Sequence, residues 1–113
     1  MTNQPDDQYN VLDSLNRYPL QPDDMPKQLV EANDDQQFWL HDGPGLHNLR
    51  ELKQALDMIT EEQFEFHVGE SRNDFAMWVD TVLKDHECAT ELWKCKTILS
   101  TRRVLIKYLK NYV

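Results

Sequence analysis

Hydrophobic residues recur at helical spacing over most of residues 48–113. The first such stretch carries its apolar residues on one face: Leu49, Leu52, Leu56 and Ile59. Residues that favour helix N-caps precede four such stretches: Asn48, Thr60, Ser71 or Asn73, and Asp85. Glu51 and Gln63 stand where the capping-box partners of the first two belong. The pattern therefore predicts four helices, and Gly69 predicts a left-handed stop for the second.

The fourth stretch has the longest pattern. Its apolar residues alternate at spacings of four and three, with one arginine among them, and we call this set the heptad seam: Cys88, Leu92, Cys95, Leu99, Arg102, Ile106, Leu109 and Val113. The seam predicts a long amphipathic last helix that can run to the C-terminus. Four of its residues and a neighbour are candidates for an interaction surface: Leu99, Arg102, Arg103, Ile106 and Leu109. A core-facing stripe and a homodimer contact both fit this pattern.

A short extended stretch precedes the helices. Phe38–Leu40 has the composition of a strand, Asp42–Gly45 that of a turn, and Leu46 and His47 can pair back as a small hairpin. The fold class predicted is mainly α, with a short N-terminal hairpin followed by a compact bundle of about four helices.

Residues 1–36 differ from the rest in composition. They hold four of the five prolines and sparse apolar residues, which excludes long helices. We expect a flexible or extended acidic arm over residues 1–36 and a helical domain over residues 37–113.

Charge is distributed unevenly along the chain, whose net charge is −8. Residues 1–37 hold eight acids and two bases, residues 38–93 twelve acids and four bases, and residues 94–113 six bases and no acid. The acidic balance argues against nucleic acid as the partner. The basic end is best explained by attraction to the acidic remainder of the protein.

The sequence also indicates where in the cell the protein is located. The longest apolar run is Phe75–Val79, against the roughly 20 residues of a membrane-spanning helix. The first ten residues lack a basic start and an apolar stretch, and Cys88 and Cys95 are interpreted as reduced thiols. We expect a cytoplasmic protein that does not bind membranes.

Catalytic motifs are missing from the sequence. The three glycines form no phosphate-binding loop, and the two cysteines are not at zinc spacing. His41 and His47 flank the turn and are interpreted as polar hairpin residues rather than metal ligands. His67, at the end of the second helix, lies close in sequence to Asp74, which resembles half of a catalytic constellation. No serine or cysteine nucleophile is evident beside the pair, so we expect a structural hydrogen bond across the turn, and neither metal nor cofactor.

Four motifs occur in order: Phe38-x-Leu40-x-Asp42-Gly43, Asn48-Leu49-x-Glu51-Leu52, Phe64-x-Phe66-His67-Val68 and Asn73-Asp74-Phe75-Ala76-x-Trp78-Val79. This set resembles a family of small bacterial and archaeal domains of unknown function, found alone or joined to other domains. The resemblance covers about residues 38–93 and implies a common fold unit without implying a reaction. The residues it singles out are His67, Asn73, Asp74, Phe75 and Trp78.

Three functions fit these observations. The first is a non-enzymatic interaction, adaptor or regulatory module that binds a protein partner through residues 1–36 or the C-terminal helix. The second is a ligand-binding domain or enzyme centred on His67 and Asp74, which requires a pocket lined by Trp39 and Trp78. The third is an acidic inhibitor or nucleic-acid mimic.

Overall fold

The computed structural model describes residues 28–112, and within this range it contains five α-helices and one two-stranded antiparallel hairpin. A 3-10 turn at Asp34–Gln36 precedes them. The elements in chain order are β1 (Phe38–Trp39), β2 (Gly45–Leu46), α1 (Leu49–Leu56), α2 (Glu61–His67), α3 (Asp74–Thr81), α4 (His86–Trp93) and α5 (Ile98–Leu109). The predicted mainly helical fold with a short hairpin is confirmed, with one helix more than expected.

The hairpin forms where the sequence predicts it. Phe38 pairs with Leu46 and Trp39 with Gly45. Because side chains alternate across a strand, Phe38 and Leu46 are buried while Trp39 is exposed. Asp42 takes the left-handed backbone conformation that the turn needs, with a φ of 53°, which aspartate tolerates better than most residues.

The predicted helix starts are confirmed. The side chains of Asn48, Thr60, Asn73 and Asp85 each accept a hydrogen bond from the backbone N–H three residues later. Thr60 and Gln63 form the expected capping box. Glu51 departs from its prediction, because its carboxylate accepts from the backbone N–H of His47 at 2.7 Å and not from that of Asn48.

The left-handed stop predicted at Gly69 is wrong. No glycine in the described range has a positive φ. Helix α2 instead ends in extended backbone at Val68, which forms an isolated antiparallel bridge with Asn73. The N–H of Gly69 donates to the carbonyl of Arg72 at 2.8 Å, so it pairs across the turn and not with the last carbonyls of α2, as it would in a left-handed cap.

The single long last helix is also wrong, because the stretch that begins at Asp85 divides into α4 and α5. Thr97 and Ser100 form a second complete capping box. Helix α4 has ended at Trp93, and the N–H of Cys95 donates to the carbonyl of Leu92. The interruption changes the helical phase, so the heptad seam does not continue as one stripe: Cys88, Leu92 and Cys95 are buried, whereas Leu99 and Ile106 are exposed.

The core lies between the hairpin and the helices, and α3 packs on α4 while α1 packs on α5. Its fully buried side chains include Leu52, Phe75, Leu92 and Leu105. Cys88 and Cys95 are buried and are not joined in a disulfide.

Residues 28–36, at the end of the predicted arm, also contact this core. Leu29 packs against it, and the N–H of Ala32 donates to the carbonyl of His47 at 2.7 Å. The indole N–H of Trp78 donates to the carbonyl of Gln36 at 2.8 Å. The rest of the predicted arm, residues 1–27, lies outside the described residues. Over residues 28–112, no helix is both long and apolar enough to span a membrane.

Candidate functional site: a cleft beside His67 and Asp74

His67 is the last residue of α2, and Asp74 is the first residue of α3. The imidazole Nδ1 lies 3.0 Å from Oδ2 of Asp74. On the other side of the ring, Nε2 accepts the backbone N–H of His41 at 3.0 Å. A backbone N–H can only donate, so Nε2 carries no proton and Nδ1–H donates to the carboxylate. The predicted bond across the turn is present, and a second bond extends it to the hairpin.

Burial keeps this imidazole neutral. His67 is 4% exposed, and the rings of Phe38, Phe66 and Phe75 have their centroids 4.8, 5.0 and 5.2 Å from its own. Desolvation lowers the pKa of His67 below its ordinary value of 6.5, and the opposing effect of Asp74 is smaller. The side chain therefore serves as a neutral hydrogen-bonding link within the fold.

A cleft of about 300 Å³ opens beside this pair, between the hairpin and α3. Two of its lining side chains are largely in solvent, Trp39 at 66% and Met77 at 51% exposure. The remaining lining residues are Phe38, His67, Asp74, Trp78 and Thr81. The cleft therefore combines an aromatic base, two exposed apolar walls and one carboxylate.

The Asp74 carboxylate has capacity left to bind a ligand. Its Oδ2 accepts from His67, but its Oδ1 lies 3.7 Å from Nε of Arg72, beyond hydrogen-bond distance. Its side chain is 32% exposed. Among the described residues, no other group bonds Oδ1, so this oxygen is open to a donor that enters the cleft.

The residues of the family resemblance divide into two groups. His67, Asp74 and Trp78 line the cleft, whereas Asn73 and Phe75 are fully buried behind it. Asn73 caps α3 through Ala76 N–H and donates to the carbonyl of Leu92 at 2.8 Å. These two residues hold α3 in place, and the other three present their side chains to the cleft.

The structure supplies the pocket that the second functional hypothesis requires, with Trp39 and Trp78 both in its lining. Sequence reasoning missed Met77 and Thr81. Their signal was spacing, because positions three and seven after Asp74 share its helical face.

The cleft is poorly equipped for nucleophilic catalysis. Its described lining includes one hydroxyl, that of Thr81, which donates to the Met77 carbonyl at 2.7 Å. Both nitrogens of His67 are engaged within the fold, so the imidazole is not free to accept a proton from a substrate.

The residues proposed on the last helix do not form one surface. Leu99, Arg103 and Ile106 are exposed, whereas Leu109 packs partly against the core. Arg102 donates from Nε to Oδ1 of Asp57 at 3.0 Å. The outer face of α5 is therefore formed by Leu99, Arg103, Ile106 and Lys110, and it combines two aliphatic with two basic side chains.

The two hairpin histidines have separate partners. The His41 ring stacks on Phe66 with 3.9 Å between centroids. His47 contacts Glu51 and Asp34 at 3.2 and 3.4 Å. Within residues 28–112, no group of three potential ligands is arranged to hold a metal ion.

Comparisons of this chain with protein-family models, with curated proteins and with solved structures found no match. The resemblance to small domains of unknown function stays a prediction, and the function must be argued from the cleft itself.

Proposed function

We propose that the protein is a non-enzymatic interaction module that binds a segment of a partner protein in the cleft beside His67 and Asp74. The observation that carries this proposal is the pair of exposed apolar side chains, Trp39 and Met77, on either side of a buried, fully hydrogen-bonded base. Tryptophan and methionine are enriched in the centres of protein interfaces.

The base of the cleft is rigid, which lowers the cost of binding. His67 joins α2, α3 and the hairpin, and Trp78 joins α3 to the 3-10 turn. A preformed site loses little conformational entropy when its ligand arrives. A volume of about 300 Å³ suits one or two side chains of a peptide.

The small-ligand hypothesis uses the same cleft. With Trp39 and Met77 more than half exposed, the site covers one side of its occupant, whereas small-molecule sites bury roughly 70–90% of the ligand surface. This geometry favours a protein segment.

The experiment compares Met77→Lys with a matched control, Leu99→Lys. Both residues are about half exposed on helices, so both variants are expected to fold, and circular dichroism and melting temperature verify this. Partners captured by the full-length wild type from a native lysate are quantified by mass spectrometry. We expect Met77→Lys to lose partners that Leu99→Lys retains, since a charge in the cleft opposes burial of an apolar side chain.

Loss with Leu99→Lys alone would assign binding to the outer face of α5 instead. Retention of every partner by Met77→Lys would contradict the proposed function.

A further inference from the structure

The cleft is acidic as well as apolar. Asp74 lines it with one oxygen open to a donor. Arg72, whose Nε is 3.7 Å from Oδ1, offsets part of this charge. Helix α3 itself carries a second acid, Asp80, outside the lining and no base, and residues 38–93 hold twelve acids against four bases. An occupant that places a positive charge at Asp74 gains from this field, while an acidic occupant is repelled.

The exposed ring of Trp39 adds a second attraction for a cation. Tryptophan has the aromatic face that binds cations best. Trp39 and Asp74 line the same cleft, so one side chain can lie along the indole and direct its head to the carboxylate.

From this geometry we infer that the occupant is a partner segment with an arginine whose guanidinium stacks on Trp39 and donates to Oδ1 of Asp74. This inference rests on the proposed function and specifies its ligand. Arginine fits better than lysine, because its planar guanidinium stacks on aromatic rings and presents several donors in a fixed plane. An apolar neighbour of the arginine contacts Met77.

Arg72 does not fill this position. Its Nε is 3.7 Å from Oδ1, and its guanidinium lies 5.9 Å from the centroid of Phe66, a residue outside the cleft lining. A carboxylate offers about four acceptor positions, and Oδ2 uses one for His67. A second guanidinium can therefore approach Asp74 from the cleft side.

The test selects peptides from a phage-displayed library of random twelve-residue sequences on the full-length protein. Clones that also bind Met77→Lys are removed, because a cation at this position repels an arginine and opposes apolar burial. We expect the remaining clones to be enriched in arginine beside an aliphatic or aromatic residue. The leading peptide is then synthesised with arginine and with citrulline, a neutral side chain of nearly the same shape, and both are titrated by calorimetry.

The decisive measurement is a double-mutant cycle between the peptide and Asp74→Asn. Asparagine retains an acceptor for the His67 N–H and removes the charge. We expect citrulline to weaken binding to the wild type about tenfold, and the same replacement to weaken binding to Asp74→Asn about twofold or less, as for a coupled charge pair.

The inference would be overturned if the peptides that bind in the cleft showed no preference for arginine. It would also be overturned if replacement of arginine by citrulline weakened binding equally to the wild type and to Asp74→Asn. The proposed function would stand in both cases. Enrichment solely of clones that bind Met77→Lys as well as the wild type, or no enrichment over the input library, would also overturn the inference. The proposed function fails separately, if Met77→Lys retains every lysate partner.

Discussion

At the scale of single residues, the imidazole of His67 connects three segments that are distant in the sequence. Its two nitrogens bond the hairpin at His41 and the start of α3 at Asp74, while its own backbone ends α2. The bond from His41 requires an unprotonated Nε2, and the bond to Asp74 requires the proton on Nδ1, so the two together require the neutral ring. The position of the cleft walls therefore depends on the protonation state of one side chain.

This dependence predicts a loss of stability in mild acid. The pKa of His67 is lower in the folded protein than in the unfolded chain, chiefly because the ring is buried. At a pH between these two pKa values, the unfolded chain binds more protons than the folded protein. The contribution of His67 to the free energy of unfolding is therefore complete above about pH 6.5 and decreases as the pH falls below it. Urea denaturation at pH 8, 7, 6 and 5 measures this slope.

The control for this prediction is His67→Gln, which keeps a donor and an acceptor without a titrating group. Its free energy of unfolding is expected to change less between pH 6.5 and 5. The lowered pKa values of Asp57 and Glu91, which stem first from hydrogen bonds with Lys53 and Tyr108, act at lower pH. Equal slopes for the variant and the wild type would contradict the role assigned to His67.

At the scale of elements, helix starts were readable from the sequence because a cap is a local interaction. Asn48, Thr60, Asn73 and Asp85 each bond a backbone N–H three residues away. Thr97 was overlooked, although it is the same kind of signal, because it falls within the heptad seam. The spacing of apolar residues continues across Lys94–Thr97 by coincidence. Spacing alone does not distinguish one long helix from two helices of different phase.

Helix ends and the cleft were harder to foresee, since they depend on tertiary contacts. Val68 ends α2 in extended backbone through its bridge to Asn73. The pairing of His67 with Asp74 was predicted from closeness in sequence, but its bond to His41 spans 26 residues and has no local signal. Trp39 and Trp78 were named in advance, whereas Met77 was not.

The extended ending of α2 predicts that Gly69→Ala is harmless. Gly69 has no positive φ, and a Cβ added there meets nothing within 4 Å. Alanine restricts the unfolded chain and should stabilise the protein by about 0.4–1 kcal/mol. Thermal denaturation of the variant measures this change.

The matched substitution is Gly43→Ala in the hairpin turn. A Cβ there comes within 2.9 Å of Cδ2 of Leu40, a buried side chain, so a cost of about 1–3 kcal/mol is expected. A lower melting temperature for Gly69→Ala would contradict the observed turn and restore the left-handed stop.

At the scale of the whole molecule, the two exposed apolar surfaces differ in the sign of the charge around them. The cleft lies on the acidic part of the chain, and the outer face of α5 is basic through Arg103 and Lys110. A symmetric dimer brings the same patch of both subunits together. Contact through the outer face of α5 would thus place like charges against each other.

The homodimer considered for the heptad seam is therefore disfavoured, and we expect a monomer. Sedimentation equilibrium compares the wild type with Leu99→Asp combined with Ile106→Asp, two exposed positions whose replacement leaves the core intact. Both proteins are expected to give the mass of one chain. A wild-type dimer that this double substitution converts to a monomer would contradict the expectation.

The bond between His41 and His67 also has a dynamic consequence. The amide of Leu40 is held inside the hairpin by the Pro44 carbonyl, whereas the next amide, that of His41, is held by α2. Hydrogen exchange at the Leu40 amide thus reports opening of the hairpin itself, and exchange at the His41 amide reports separation of the hairpin from the helices. Phe38 and Trp39 of the hairpin form one wall of the cleft. The cleft is therefore intact while the hairpin stays packed on α2, which is the state in which the His41 amide is protected from exchange. Any partner that occupies the cleft slows that exchange in proportion to its occupancy.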